Sequence, residues 1–289
     1  MNAQQTLDLL NTYLLADLVL ILFAWLTWRL LRRVVFSRLD IAPRTLYQPV
    51  HLQFAGGFGL GLASVICVVG LIAIAGGFAA GPGWEAFHYT SRPPDGWQAW
   101  GMLTVQSLFE ELLFRAIGMV LLAVLIFWLA RFVLLPSDPE QQARWHLRLW
   151  LASGLIANLV VSVGFAIVHL RNPAVTPFAA VNVALAGLVL GQLCWMQGTP
   201  LGAWAWHWIW NATLATLGLP VSGILLNRSL VGFGLDGARE GIVSGGQFGP
   251  EGSAMTSVVL LLLFVVMLFA QLGAMRKPAL DADDSTAAS

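Results

Sequence analysis

The chain has 289 residues, of which 58% are apolar and only 10% charged, where a soluble domain carries about 25% charged residues. That balance excludes an ordinary soluble domain and indicates a membrane protein. Fifteen basic and fifteen acidic residues cancel to a formal net charge of zero, so no field of one sign exists to gather nucleic acid; the lipid bilayer is the expected partner and nucleic acid is not.

An α-helix crosses the roughly 30 Å hydrocarbon core in about 20 apolar residues, so apolar runs set the architecture. The first dozen residues lack a basic start and no small-residue cleavage pattern closes the first run, so no removable signal is expected. That run covers about 13–28. Arg29, Arg32, Arg33, Arg38 and Arg44 follow, opposed only by Asp40; a short arginine-rich loop reads as cytoplasmic and turns the N-terminus outward. The second run, about 54–80, carries Gly57 and Gly61 in the small-xxx-small spacing that lets helix backbones approach. The stretch 97–135 is too long for one ordinary span and is expected to hold a leading helix followed by a full span. Runs at about 149–170, 178–196, 201–219 and 254–274 are each near spanning length. Cys67 and Cys194 fall inside apolar runs and read as small buried hydrophobes. Residues 220–252 are glycine-rich and mixed polar, which predicts a large loop packed at one membrane face. The acidic, small-residue tail 276–289 is expected to be disordered. Because backbone groups in lipid must be satisfied within helices, the prediction is an all-α fold: a polytopic transmembrane helical bundle of about seven to eight spanning helices, forming one integral-membrane domain over residues 1–275.

An ionisable group within a spanning segment costs several kcal/mol and is a functional candidate by default. That filter leaves Asp17, Glu110, Glu111, Arg115, His169 and His207. Asp17 reads as a buried polar contact or an interfacial residue. Glu111 and Arg115 are four apart, so on a helix they share a face and can pair, lowering the cost of burying both. Glu110 is turned by about 100° from Glu111 and can point into a different space, such as a polar cavity. One carboxylate would then be structural and the other reactive; the alternative is a surface pair snorkelling into water. His169 ends its run, where a histidine can equally be interfacial. His207 and Asn211 share one face of an apolar helix, where an imidazole and a carboxamide could hold a developing oxyanion or ligate a metal. Among Trp204, Trp206, Trp208 and Trp210, the pair Trp204 and Trp208 could wall a polar site, or the four could form an interfacial aromatic belt.

Together Glu110, His169, His207 and Asn211 supply a carboxylate base, two imidazoles and a hydrogen-bond donor. These are parts from which a water can be activated for attack on a carbonyl and the oxyanion held in a low-dielectric cavity. Two histidines and a glutamate also match the ligand count of many catalytic zinc sites, although the compact H-E-x-x-H signature is absent; the metal is left open, with zinc the candidate.

Glu110-Glu111-Leu112-Leu113-Phe114-Arg115 matches EExxxR, Phe165 to His169 matches FxxxH, and His207 to Asn211 matches HxxxN, in that order on separate apolar helices. The three motifs resemble those of the CPBP family, intramembrane proteases related to the type II CAAX prenyl endopeptidase. The resemblance covers a core of about 107–214, and the stretch 245–252 resembles a loop of some bacterial members. It implies that Glu110 with His169 activates the hydrolytic water, that His207 and Asn211 stabilise the oxyanion, and that Glu111 and Arg115 support the site. It further implies a membrane-associated protein or peptide substrate, prenylated in the eukaryotic branch. The Trp-, Ala- and Leu-rich composition suggests a bacterial chain, and the expected location is the bacterial inner membrane. His169 at a helix end and His207 about 10 Å into its own run would lie at different depths in straight helices, so the segment 170–177 is expected to dip into the bundle. A non-catalytic scaffold or bacteriocin-immunity factor of the same fold is the competing reading. A proton-coupled transporter would predict internal symmetry between halves, and none is visible.

Overall fold

The structure, a computed structural model, describes residues 3–31, 49–79, 96–134, 138–226, 234–235 and 241–287. Arg32, Arg33, Arg38, Asp40 and Arg44, on which the cytoplasmic-loop expectation rests, lie outside them. The described elements are helices α1 (Ala3–Leu31), α2 (Val50–Ile74), α3 (Gly96–Glu111), a π-helical segment (Leu112–Met119), α4 (Val120–Leu134), α5 (Pro139–His169), α6 (Pro177–Gln197), α7 (Leu201–Thr216) and α8 (Ala254–Ala287). Five stretches are long and apolar enough to cross a membrane: Val50–Ile74, Gln98–Leu134, Trp145–His169, Pro177–Gln197 and Ala254–Gly273. The apolar part of α1, Asn11–Thr27, and the 16-residue α7 are shorter. The protein is an all-helical integral-membrane bundle. Among the described residues its strand content is one antiparallel pairing of Phe78–Ala79 with Gly234–Leu235.

Two expectations are corrected. The stretch 97–135 is not a leading helix plus a span. It is one rod in which α3 passes through the π-helical segment into α4. No proline interrupts residues 96–134, so nothing removes a backbone donor, and the discontinuity is absorbed as a π turn. The tail expected to be disordered is helical to Ala287; extending a formed helix fixes one residue per hydrogen bond, whereas a new one must pay for nucleation.

The helix that carries His207 is positioned by glycine. A Cβ on Gly57 would lie 2.1 Å from the Gly202 carbonyl oxygen, and one on Gly61 would lie 2.7 Å from that of Trp206. Backbones of α2 and α7 therefore meet directly, as the small-xxx-small spacing predicts. The core beside this contact gathers Val65, Val68 and Ile72 of α2 with Leu103, Leu190, Trp206, Trp210 and Leu214. Large apolar side chains such as Leu129, Phe132, Leu262 and Phe269 stay exposed on the outer faces of α4 and α8, where lipid would cover them. Cys194 is buried as expected; Cys67 is on the exposed side of α2 instead. Asp17 is buried, and neither of its carboxylate oxygens has a hydrogen-bond partner among the described residues.

Candidate active site

The two adjacent glutamates end α3 and diverge as helical geometry requires. Glu111 is fully buried and Arg115 is 1% exposed; Arg115 Nη1 lies 3.3 Å from Glu111 Oε1. The same oxygen accepts from His207 Nδ1 at 2.8 Å. A buried ion pair survives only when its remaining donors are satisfied. Arg115 does this through Nη2, 3.5 Å from the Gly187 carbonyl of α6, and by laying its guanidinium 4.3 Å above the Phe165 ring of α5. Because an ionised carboxylate only accepts, Nδ1 of His207 carries the proton, and Nε2 is left to face the site.

Glu110 points elsewhere. Its Oε1 accepts from Gln106 Nε2 at 2.7 Å, while its Oε2 is buried with no hydrogen-bond partner among the described residues. That oxygen sits 3.8 Å from His207 Nε2, beyond hydrogen-bond range. The structure thus sets Glu110 against His207.

His169 is the last residue of α5, and its Nδ1 donates back to the Phe165 carbonyl at 2.7 Å. A carbonyl can only accept, so Nδ1 of His169 carries a proton, and in the neutral imidazole Nε2 is the acceptor. The Phe165 ring is shared: it lies 4.4 Å from the His169 ring and 6.2 Å from that of His207. A partly open cavity is lined by Phe165, His169, His207, Trp210, Asn211 and Glu251, among others. The structure therefore brings His169, His207 and Asn211 to one cavity, places Glu111 and Arg115 behind His207, and sets Glu110 beside the His207 Nε2.

Three local expectations are corrected. The segment after His169 does not dip into the bundle; Leu170, Arg171, Pro173 and Ala174 are exposed. The glycine-rich loop rises to meet the site instead, with the Ser222 carbonyl accepting from Asn172 Nδ2 at 3.1 Å. The tryptophans lining the cavity are Trp206 and Trp210, stacked at 4.8 Å. Trp204 and Trp208 instead pack against Phe54, and Trp208 also against Trp100. None of the four is exposed, so they form no lipid-facing belt. Among the described residues, no three His, Cys, Asp or Glu side chains are grouped so that they could hold a metal ion.

Glu251 is the site residue that sequence reasoning missed. It lies on a 3-10 turn (Pro250–Gly252) of the glycine-rich loop. Its Oε1 accepts from Trp210 Nε1 at 3.2 Å, and its Oε2 accepts from the Ser222 hydroxyl at 3.0 Å and from the Ser222 amide. Burial pushes this carboxyl above the usual carboxylate range, opposed by the Ser222 hydrogen bonds and by the nearby His169 and His207. The available signals were the resemblance of the stretch 245–252 to a family loop and an acid set among Gly and Pro just before a spanning run.

Residues 93–213 match the family model described as type II CAAX prenyl endopeptidase Rce1-like. No curated protein and no solved structure matches the chain. The matched segment holds Glu110, Glu111, Arg115, His169, His207 and Asn211, and stops before Ser222 and Glu251. Over residues 93–213, less than half of its length, the chain is similar to the Rce1-like type II CAAX prenyl endopeptidase family.

Proposed function

We propose that the protein is an intramembrane endopeptidase that hydrolyses peptide bonds of membrane-tethered, CAAX-like protein substrates, and that it works in the bacterial inner membrane. The observation that carries this reading is the free Oε2 of Glu110 facing His207 Nε2 at 3.8 Å, beside a cavity lined by His169 and Asn211. Glu110, assisted by the Nε2 lone pair of His169, takes a proton from water as its oxygen attacks the scissile carbonyl carbon. The oxyanion that forms is met by the Asn211 carboxamide and by Nε2–H of His207. That Nε2–H exists in the imidazolium form, whose charge Glu110 and Glu111 flank. On collapse the C–N bond breaks, and the proton held by Glu110 passes to the leaving amine. No step in this scheme is assigned to a metal.

The test is cleavage of a panel of membrane-tethered peptides, prenylated and unprenylated, by purified protein in detergent. Wild type should cut members of the panel, Glu110→Gln and His169→Ala should not, and a chelator should leave the wild-type rate within about twofold. A rate lost to chelator and restored by zinc would overturn the metal-free scheme. A wild type that cuts nothing, with both variants keeping full function in cells, would replace the protease with a non-catalytic scaffold.

A further inference from the structure

Every residue assigned above lies within the family-matched segment, yet the cavity has a wall that the match does not reach. That wall is the described part of the glycine-rich loop, and it is tightly built. Gly245 and Gly249 adopt φ of 83° and 94°, the left-handed region that favours glycine. A Cβ on Gly249 would stand 2.4 Å from the Pro220 carbonyl oxygen, and one on Gly245 would stand 1.8 Å from that of Gly249. Ser222 is itself held at φ 48°, a cost that persists only where surroundings over-determine the backbone. The surroundings are Asn172 on its carbonyl and Glu251 on its amide and hydroxyl.

Glu251 is the centre of this wall. Its backbone carbonyl accepts from Asn182 Nδ2 of α6 at 2.8 Å, and the same nitrogen binds the Ser253 carbonyl at 2.8 Å. Ser257 of α8 holds the other end of that carboxamide at 2.6 Å. The carboxylate, in turn, grips Trp210 of α7, which stands between His207 and Asn211 in sequence and stacks on Trp206. One residue therefore ties α6, α7 and the Ser222 turn together around the two imidazoles.

We infer that Glu251 is a positioning residue of the hydrolytic site: through Trp210 it fixes the rotation of α7 that aims His207 and Asn211 at the scissile carbonyl, and through Ser222 it closes the cavity beside His169. The inference rests on the protease reading. A group that acts this way is felt in the transition state more than in substrate binding. Glu251→Gln keeps the shape but turns an acceptor into a donor that opposes the Ser222 or Trp210 N–H. Its kcat should fall about tenfold to hundredfold, the scale found for partners that orient imidazoles at metal sites, with KM changed less than about threefold. Glu251→Asp should recover part of the loss, and Trp210→Phe, which keeps a ring but removes the donor, should lose kcat in the same way.

The experiment is steady-state cleavage by the full chain in detergent, with thermal melts of each variant and Glu110→Gln as the inactive reference. Wild-type kcat in both Glu251→Gln and Trp210→Phe, beside an inactive Glu110→Gln, would overturn the role of Glu251 and leave the protease reading standing. A loss carried by KM alone would also overturn it. If Glu251→Gln does not fold, Trp210→Phe decides. A wild type that cleaves no peptide of the panel overturns the protease reading and this role with it.

Discussion

The buried pair of Glu111 and Arg115 gives the sharpest stability test. Arg115→Met removes the guanidinium but keeps an apolar stem of similar reach against Phe165. Glu111, fully buried, would then be left with the single Nδ1–H of His207 at 2.8 Å, and the Gly187 carbonyl would lose its Arg115 partner. Removing one partner of a buried ion pair costs about 3–5 kcal/mol, whereas replacing both by neutral groups is often near neutral. The lower end applies here, since His207 still compensates part of the carboxylate, so the expected loss is about 3 kcal/mol. Glu111→Gln/Arg115→Met buries no net charge and should recover most of it, giving a coupling of about 2 kcal/mol between the two sites. Reversible unfolding in mixed detergent–SDS micelles, followed by circular dichroism, measures Arg115→Met, Glu111→Gln and the double variant against wild type. A single Arg115→Met variant within 1 kcal/mol of wild type, or a double variant equal to the sum of the singles, would refute the view that this pair is held together by mutual neutralisation.

Other consequences follow from the same contacts. Gly57→Ala puts a methyl 2.1 Å from the Gly202 carbonyl oxygen, so α2 and α7 must part by about 1 Å; overpacking of this kind costs about 1–3 kcal/mol, and a 1 Å displacement of His207 should cost about a hundredfold in kcat, read by melting and cleavage on one preparation. Wild-type values for both would show that α2 does not set the position of α7. Asn211→Ala should lower kcat by about 10²–10³ with KM little changed, as loss of one oxyanion donor does; an effect confined to KM would reassign Asn211 to substrate binding.

The chemistry of the site was more legible in the sequence than its walls. Glu110, Glu111, Arg115, His169 and His207 stand out because charge inside apolar runs is rare enough to act as a filter. The pairing of Glu111 with Arg115 needed only the geometry of a helix. The tryptophans show where such reasoning stops. By angular position Trp204 lies nearest the shared face of His207 and Asn211, with Trp208 and Trp210 equally far from it on opposite sides, but α2 and α3 cover the Trp204 and Trp208 side with Phe54 and Trp100, and the cavity side belongs to Trp206 and Trp210. Which side of a helix stays open is decided by its neighbours, and one helix's pattern holds no record of them. Glu251 was hidden for a related reason: its partners Trp210 and Ser222 are 41 and 29 residues away, and a glycine-rich stretch has no periodicity to say where an acid points.

The apparent mismatch in depth between His169 and His207 is closed in the structure, where the Phe165 ring lies 4.4 Å from the His169 ring and 6.2 Å from that of His207 and both imidazoles line one cavity. Sixteen residues rise only about 24 Å, short of the roughly 30 Å hydrocarbon core, so α7 as a straight helix leaves part of that thickness to the chain that follows Thr216. Irregular backbone at that depth is tolerated only when buried in protein or lining a cavity, and the loop meets both conditions, with Phe248 buried and Ser222 and Glu251 on the cavity. Such a loop must approach other backbone closely, which Gly245 and Gly249 allow and a Cβ at either would forbid. A short helix thus leaves room for a glycine-rich wall, and the wall brings a third carboxylate to the cavity that the two histidines line.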